Sequence, residues 1–314
     1  MTTIIEIDPT VDFACKQVIG NPELPELTIH FLNAVLGHSV PIQSVEILNP
    51  INDREFESDK LSILDIRATD QLGRIFNVEI QRTSSLGLTK RLTYYAALNL
   101  VDQLGDGEGY HLLNPSISIC ILTLRLFGAL GRAEYHNSFR LRTQDGFDFT
   151  DVIEIHTLEL PKYVRSSDND AGRSQLDQWV HFFSKAKGSS AEQLRRELAD
   201  TVFFKAIGVL EMIQRTPDQR RQYEDRIKLE RDAEARLLAA TEEGRLLGES
   251  IGEAKGEAKG EAKGKAVEKM NTVRMVQELL EVELTPFEEL QALSAEELDS
   301  RIGDLKSQLR RRIV

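Results

Sequence analysis

Cysteine is almost missing from this chain. Cys15 and Cys120 are the only two in 314 residues, far apart in sequence. That excludes a disulfide framework and a cysteine-built zinc site. The six histidines, His30, His38, His111, His136, His156 and His181, are scattered, with no pair at metal-ligand spacing. No P-loop and no G-x-G-x-x-G after a strand is present, which removes the common nucleotide-binding and dinucleotide-binding classes. Positive charge is scarce too. Lys and Arg number 39 against 51 Asp and Glu, a net charge of −12. A protein that holds nucleic acid by electrostatics alone is excluded, but a local groove working with metal ions is not. Long apolar runs are absent, so no membrane span is expected. The start, MTTIIEIDPTVDFACK, has no basic region leading into an apolar stretch, so no signal peptide is expected, and with two isolated cysteines a reduced cytoplasmic setting is the default expectation.

What is present is the composition of a folded protein: 41% hydrophobic and 29% charged residues, enough for a large core. DFACKQVI reads as a short helix. PELTIHFLNAVLG reads as a second, opened by Pro25 and stopped at Gly37, with Leu27, Phe31, Leu32, Val35 and Leu36 on one face. SVEILN (44–49), ahead of Pro50, is a short strand. LSILDIRAT and RIFNVEIQR are strands around the turn DQLG. A helix follows from about Leu88 to Leu104. SISICILTL (116–124) is a continuous apolar run that suits a strand buried on both faces. AEYHNSFRLRT and DVIEIHTLELP are later strands. From about residue 173 the periodicity becomes helical, with Leu176, Trp179, Val180 and Phe183 as a core stripe. The order predicts an α/β core whose sheet has helices on both sides, followed by an all-α C-terminal region. The helix between the hairpin and strand 116–124 is long enough for a crossover to a parallel neighbour.

The hairpin carries the candidate chemistry. If its loop is Gln71, Leu72 and Gly73, with Gly73 left-handed, Asp70 faces Arg74 and Asp65 faces Glu79. Glu79 and Gln81 then share a face with Asp65. Acids on a strand are often just a solvated face. Here Ile63, Leu64, Ile66, Val78 and Ile80 flank them, and a covered pair of acids needs partners or a cation held by oxygen ligands.

LDIRATDQLGRIFNVEIQ, with DPTVDFACKQVIG, FLNAVLG, RLTYYAALNL and GYHLLNPSISICIL in this order, resembles the PD-(D/E)XK nuclease family transposases, also described as recombination-promoting nucleases. The resemblance covers about residues 8–185. It implies a restriction-endonuclease-like αβββαβ core and Mg²⁺-dependent (or Mn²⁺-dependent) hydrolysis of DNA phosphodiesters, linked to recombination or mobile elements. Asp65 matches the first acid, Glu79 the second, and Gln81 stands where many members of the superfamily carry lysine. Asp12 and Lys16 match the first-helix motif, where Cys15 replaces an aromatic. The resemblance implies Mg²⁺ on Asp65, Glu79 and the Ile80 backbone carbonyl, with Gln81 orienting the attacking water. Asp12 is an outer ligand or a helix cap, and Lys16 a phosphate contact or a surface lysine. Arg91 and Tyr94 or Tyr95 line a groove, or their helix packs on the sheet through Tyr95, Ala96 and Leu98. The rival reading is a weak or inactive nuclease-fold module that binds DNA or assembles.

Four segments are expected: a nuclease-like domain over 1–165, a helical extension over 166–243, a glycine repeat over 244–264 and a helical end over 265–314. The repeat has glycine every fourth residue from Gly244 to Gly264. Each interior glycine costs a helix about 1 kcal/mol relative to alanine, and the period stacks like charges, so a spacer is the first reading. Thr285 is expected to cap a helix at Pro286, and Ser294 with Glu297 to form a capping box. Self-association through the C-terminal helices is expected, as is a DNA partner.

Overall fold

The computed structural model describes residues 4–48, 66–83, 87–128, 131–164, 174–198 and 200–313. The first unit, Met1–Glu234, is built on a six-stranded mixed sheet. Its elements begin with α1 (Asp12–Ile19), α2 (Pro25–Leu36), β1 (Val45–Ile47), β2 (Ile66–Asp70), β3 (Ile75–Gln81) and α3 (Leu88–Val101). They continue with β4 (Ser116–Leu122), β5 (His136–Arg142) and β6 (Asp148–Glu159), then α4 (Gln175–Lys185), α5 (Ala191–Glu197) and α6 (Val202–Arg215). The strand order is β1-β2-β3-β4-β6-β5. β3, β4 and β6 run parallel in the middle, and antiparallel pairs close both edges.

Alternation decides what each face carries. Phe76 and Val78 of β3, Ile66 and Ala68 of β2, and Ile117, Ile119 and Ile121 of β4 enter the main core with α1, α2, α4 and α6. Trp179 and Phe203 stand at its centre, their rings 4.9 Å apart. The opposite face belongs to α3, where Leu88 and Leu92 pack on Cys120 and Leu122. Every residue of β4 is buried, because it is the one strand with a parallel neighbour on each side and helices on both faces. The crossover from β3 through α3 to β4 is the parallel one that its length permits. The stripe Leu176, Trp179, Val180 and Phe183 lies in the core. Helix α2 stops at Gly37, whose φ is +58°.

α7 (Pro217–Leu279) is a single helix of 63 residues and contains the whole glycine repeat. This differs from the spacer expected of it. A helix already nucleated on both sides needs only propagation through the repeat. Arg245 pairs with Glu242 and Glu249, and Lys265 with Glu261 at 2.6 Å, adding i, i+3 and i, i+4 support. A Cβ built on any glycine from Gly244 to Gly264 meets nothing within 4 Å, so these glycines serve no close approach to the described residues.

The second unit, Ala235–Val314, has its own small core of Met270, Val273, Val276, Leu280, Leu290, Leu298 and Leu305. It is formed by the end of α7, by α8 (Phe287–Gln291) and by α9 (Ala295–Ile313). The Ser294–Glu297 capping box is present, with bonds of 2.7 and 3.2 Å. Thr285 does not cap α8. Its hydroxyl accepts from Gln277 Nε2 (2.9 Å) and Arg301 Nη2 (3.1 Å), a buried cross-link that outcompetes the local cap. Among the described residues no helix is long and apolar enough to cross a membrane.

Candidate active site

The β2–β3 turn sets the register of everything that follows. Gly73 N–H donates to Asp70 O at 3.0 Å, and Asp70 N–H to Arg74 O at 3.2 Å. Asp70 Oδ1 accepts from the Leu72 and Arg74 amides, both at 3.0 Å. Gly73 has φ +75°, the left-handed place of a three-residue loop. The strands are therefore paired Ile66 to Val78 and Thr69 to Ile75, as the loop chemistry predicts. Asp65, the residue before Ile66, lies outside the described residues.

Glu79 and Gln81 alternate away from the main core onto the α3 face. Two buried glutamates stand at this end of the sheet, and they differ. Glu159, at the end of β6, is fully compensated. Lys162 Nζ lies 2.7 Å from one oxygen, and the Leu126 and Phe127 amides donate to the other at 2.8 and 3.3 Å. Glu79 is 4% exposed, and its Oε1 has no hydrogen-bond partner among the described residues. Among the described residues it pairs with Arg91 of α3, whose Nη2 lies 3.6 Å from Oε2. Burial pushes the Glu79 carboxyl above its ordinary range, while the Arg91 charge and then the Cys120 thiol pull it back part of the way. Cys120 is its register partner on β4.

Gln81 is held at both ends of its amide. Arg91 Nη2 donates to Oε1 at 2.5 Å, and Nε2 donates to Thr83 O at 2.7 Å. Arg91 Nε is buried with no hydrogen-bond partner among the described residues. The structure thus brings Glu79, Gln81 and Arg91 together. Ile80 points the other way and packs against the main core, leaving its backbone between the Glu79 and Gln81 side chains.

The remaining expected residues are distributed as follows. Tyr94 is 61% exposed on α3, one turn beyond Arg91, while Tyr95 and Ala96 are buried. The groove reading therefore fits Arg91 and Tyr94, and the packing reading fits Tyr95. Asp12 is buried at the first position of α1. The N-cap is Val11, so Asp12 is not the cap. Lys16 is half-buried one turn on. Burial holds the Cys15 thiol far above its ordinary value.

Two contributions escape sequence reading. Arg82, next after Gln81, lies 3.6 Å from Asp8 Oδ2 and 2.7 Å from Glu230 Oε2. It ties the end of β3 to the segment that leads into α1 and to α7. A basic residue after Glu-x-Gln was the available signal, but its partners are remote in sequence. Cys120 lies inside an apolar run, and only the strand pairing reveals it beside Glu79.

Among the described residues no three His, Cys, Asp or Glu side chains converge as a metal cage. The uncompensated Glu79 oxygen nevertheless fits a cation, since a buried acceptor without a donor is what a metal would satisfy. No curated protein and no solved structure matches the chain. The profile of the PD-(D/E)XK nuclease family transposases matches residues 9–240, spanning the sheet, α3 and the hairpin with Glu79. The chain belongs to the PD-(D/E)XK nuclease family transposases.

Proposed function

We propose that this protein is a metal-dependent DNA endonuclease acting in recombination or in the movement of mobile elements. The observation that carries the reading is Glu79: buried, lacking a donor at Oε1, and situated in the family-matched region. Asp65 is bonded to Ile66, whose partner is Val78, the neighbour of Glu79. Asp65, Glu79 and the Ile80 carbonyl are the oxygen ligands for Mg²⁺ or Mn²⁺. The cation supplies acidity to a bound water and offsets charge on the phosphoryl group.

The chain's own groups do the rest. The Gln81 amide orients the attacking water by hydrogen bonding; it carries no charge, so it contributes less than a lysine would. Arg91 offers a guanidinium to the phosphodiester, and the exposed Tyr94 ring offers a face to a base. Lys16 is a second phosphate contact, and Asp12 sits in the outer shell of the site. Arg82, through Asp8 and Glu230, holds the end of β3 in place.

Nicking of supercoiled plasmid by the purified chain tests this reading, with and without Mg²⁺. Cleavage that needs Mg²⁺ and disappears in Glu79→Gln supports it; cleavage indifferent to both sinks it. A second reading, an inactive DNA-binding or assembly module, is favoured by one observation: Gln81 has both amide ends engaged. That reading predicts DNA binding without nicking. We also propose that the C-terminal helices mediate self-association, supported by Leu237, Leu238, Leu246, Leu247 and Ile251, all exposed on α7.

A further inference from the structure

We infer that Arg91 is the switch residue of this site, a built-in counter-cation that occupies the metal's place and leaves it for the DNA phosphate. The inference rests on the nuclease reading and extends it.

Three facts carry it. Arg91 Nη2 contacts Gln81 Oε1 at 2.5 Å and lies 3.6 Å from Glu79 Oε2, so one guanidinium nitrogen serves both residues needed for chemistry. Neither side is saturated: Glu79 Oε1 and Arg91 Nε are both buried without hydrogen-bond partners among the described residues. The Arg91 side chain is itself 36% exposed against 4% for Glu79, so its head has a route to solvent that the carboxylate lacks.

A charge partner with unspent donors and a path outward is poised to change partner. While Arg91 stays, it holds one of the two lone pairs of Gln81 Oε1, which leaves that oxygen less free to turn to a water. A divalent cation at Glu79 carries more charge than a guanidinium and repels it. Once displaced, Arg91 presents its planar fork where a phosphodiester can take two hydrogen bonds. Metal and DNA then bind with positive coupling, because the first ligand frees the residue that grips the second.

The test is calorimetric titration of Mn²⁺ into the full chain as wild type, Arg91→Met, Arg91→Lys and Glu79→Gln. Removing the competing charge should tighten Mn²⁺ binding about tenfold in Arg91→Met. Arg91→Lys, which keeps the charge, should stay near wild type, and Glu79→Gln should lose binding. A gain of affinity is not what damage to the fold produces. Equal affinity in wild type and Arg91→Met, with binding lost in Glu79→Gln, overturns the switch and leaves the nuclease reading standing. No binding by wild type and Arg91→Met alike, or undiminished binding by Glu79→Gln, overturns both. Anisotropy of a labelled short duplex completes the test. Adding Ca²⁺ should raise wild-type affinity and barely change that of Arg91→Met, and equal rises would contradict the release of Arg91 to the phosphate.

Discussion

Arg82 and Glu230 are 148 residues apart in sequence and 2.7 Å apart in space. Arg82 follows Gln81, so this bond and the 3.6 Å contact with Asp8 fix the strand end that carries the site. Both side chains are about a third exposed, so solvent screens the pair. We expect a double-mutant cycle of Arg82→Ala and Glu230→Ala to give a coupling of about 0.5–1 kcal/mol by urea unfolding. Additive single mutants would show that the contact does not anchor β3.

Acid should destabilise the first unit through the strand pair β5–β6. His136 Nε2 lies 2.8 Å from His156 Nδ1, and Glu154 Oε1 takes His156 and Arg140 at 2.9 and 2.5 Å. Burial, and then the His156 charge, lower His136 to about 4. Burial opposes ionisation of Glu154, but hydrogen bonds from His156 and Arg140 outweigh it and hold the carboxyl at about 2. Both folded values lie below the unfolded ones, so the unfolded chain binds more protons and stability drops as pH is lowered. The His136 contribution is present above its ordinary 6.5 and is lost as pH falls to about 4. The Glu154 contribution is present above 4.5 and is lost towards 2. Unfolding free energies measured from pH 7 to 4 should decline in wild type and flatten in His136→Asn; an unchanged slope in the variant would refute the assignment.

Gly73→Ala should cost about 1–2 kcal/mol, from left-handed strain in a residue with a Cβ. The new Cβ would also stand 2.9 Å from Asn114 Nδ2. The urea midpoint should fall with an unchanged slope. Wild-type stability would mean that the turn relaxes without disturbing the register of Glu79.

The exposed repeat makes the opposite prediction. Because nothing meets a Cβ at Gly256, Gly256→Ala should make α7 more helical by circular dichroism and stabilise it by roughly 0.5–1 kcal/mol. A loss of helicity, or of molecular mass by light scattering, would instead make the glycine face a contact between copies.

These contrasts show which parts of the molecule the residues announce. The hairpin register was legible because a two-residue period and one left-handed glycine leave little choice once the loop length is set. The burial of β4 was legible from an unbroken apolar run. The helical repeat was not, because glycine cost and like-charge stacking are local terms, whereas propagation from flanking helix is cooperative. Glu79 and Gln81 could be placed on one face from spacing alone. That Arg91 clasps both, that both Glu159 oxygens are bonded while Glu79 Oε1 has no hydrogen-bond partner among the described residues, and that Arg82 reaches Asp8 and Glu230 all depend on tertiary packing.

The central claim is that Glu79 is a metal ligand at a hydrolytic site, and plasmid nicking measures it most directly. Wild type should nick supercoiled DNA only with Mg²⁺ or Mn²⁺, and Glu79→Gln and Asp65→Ala should each lose at least about a hundredfold in rate. Nicking by all three proteins at the same rate, with or without the cation, would contradict the account.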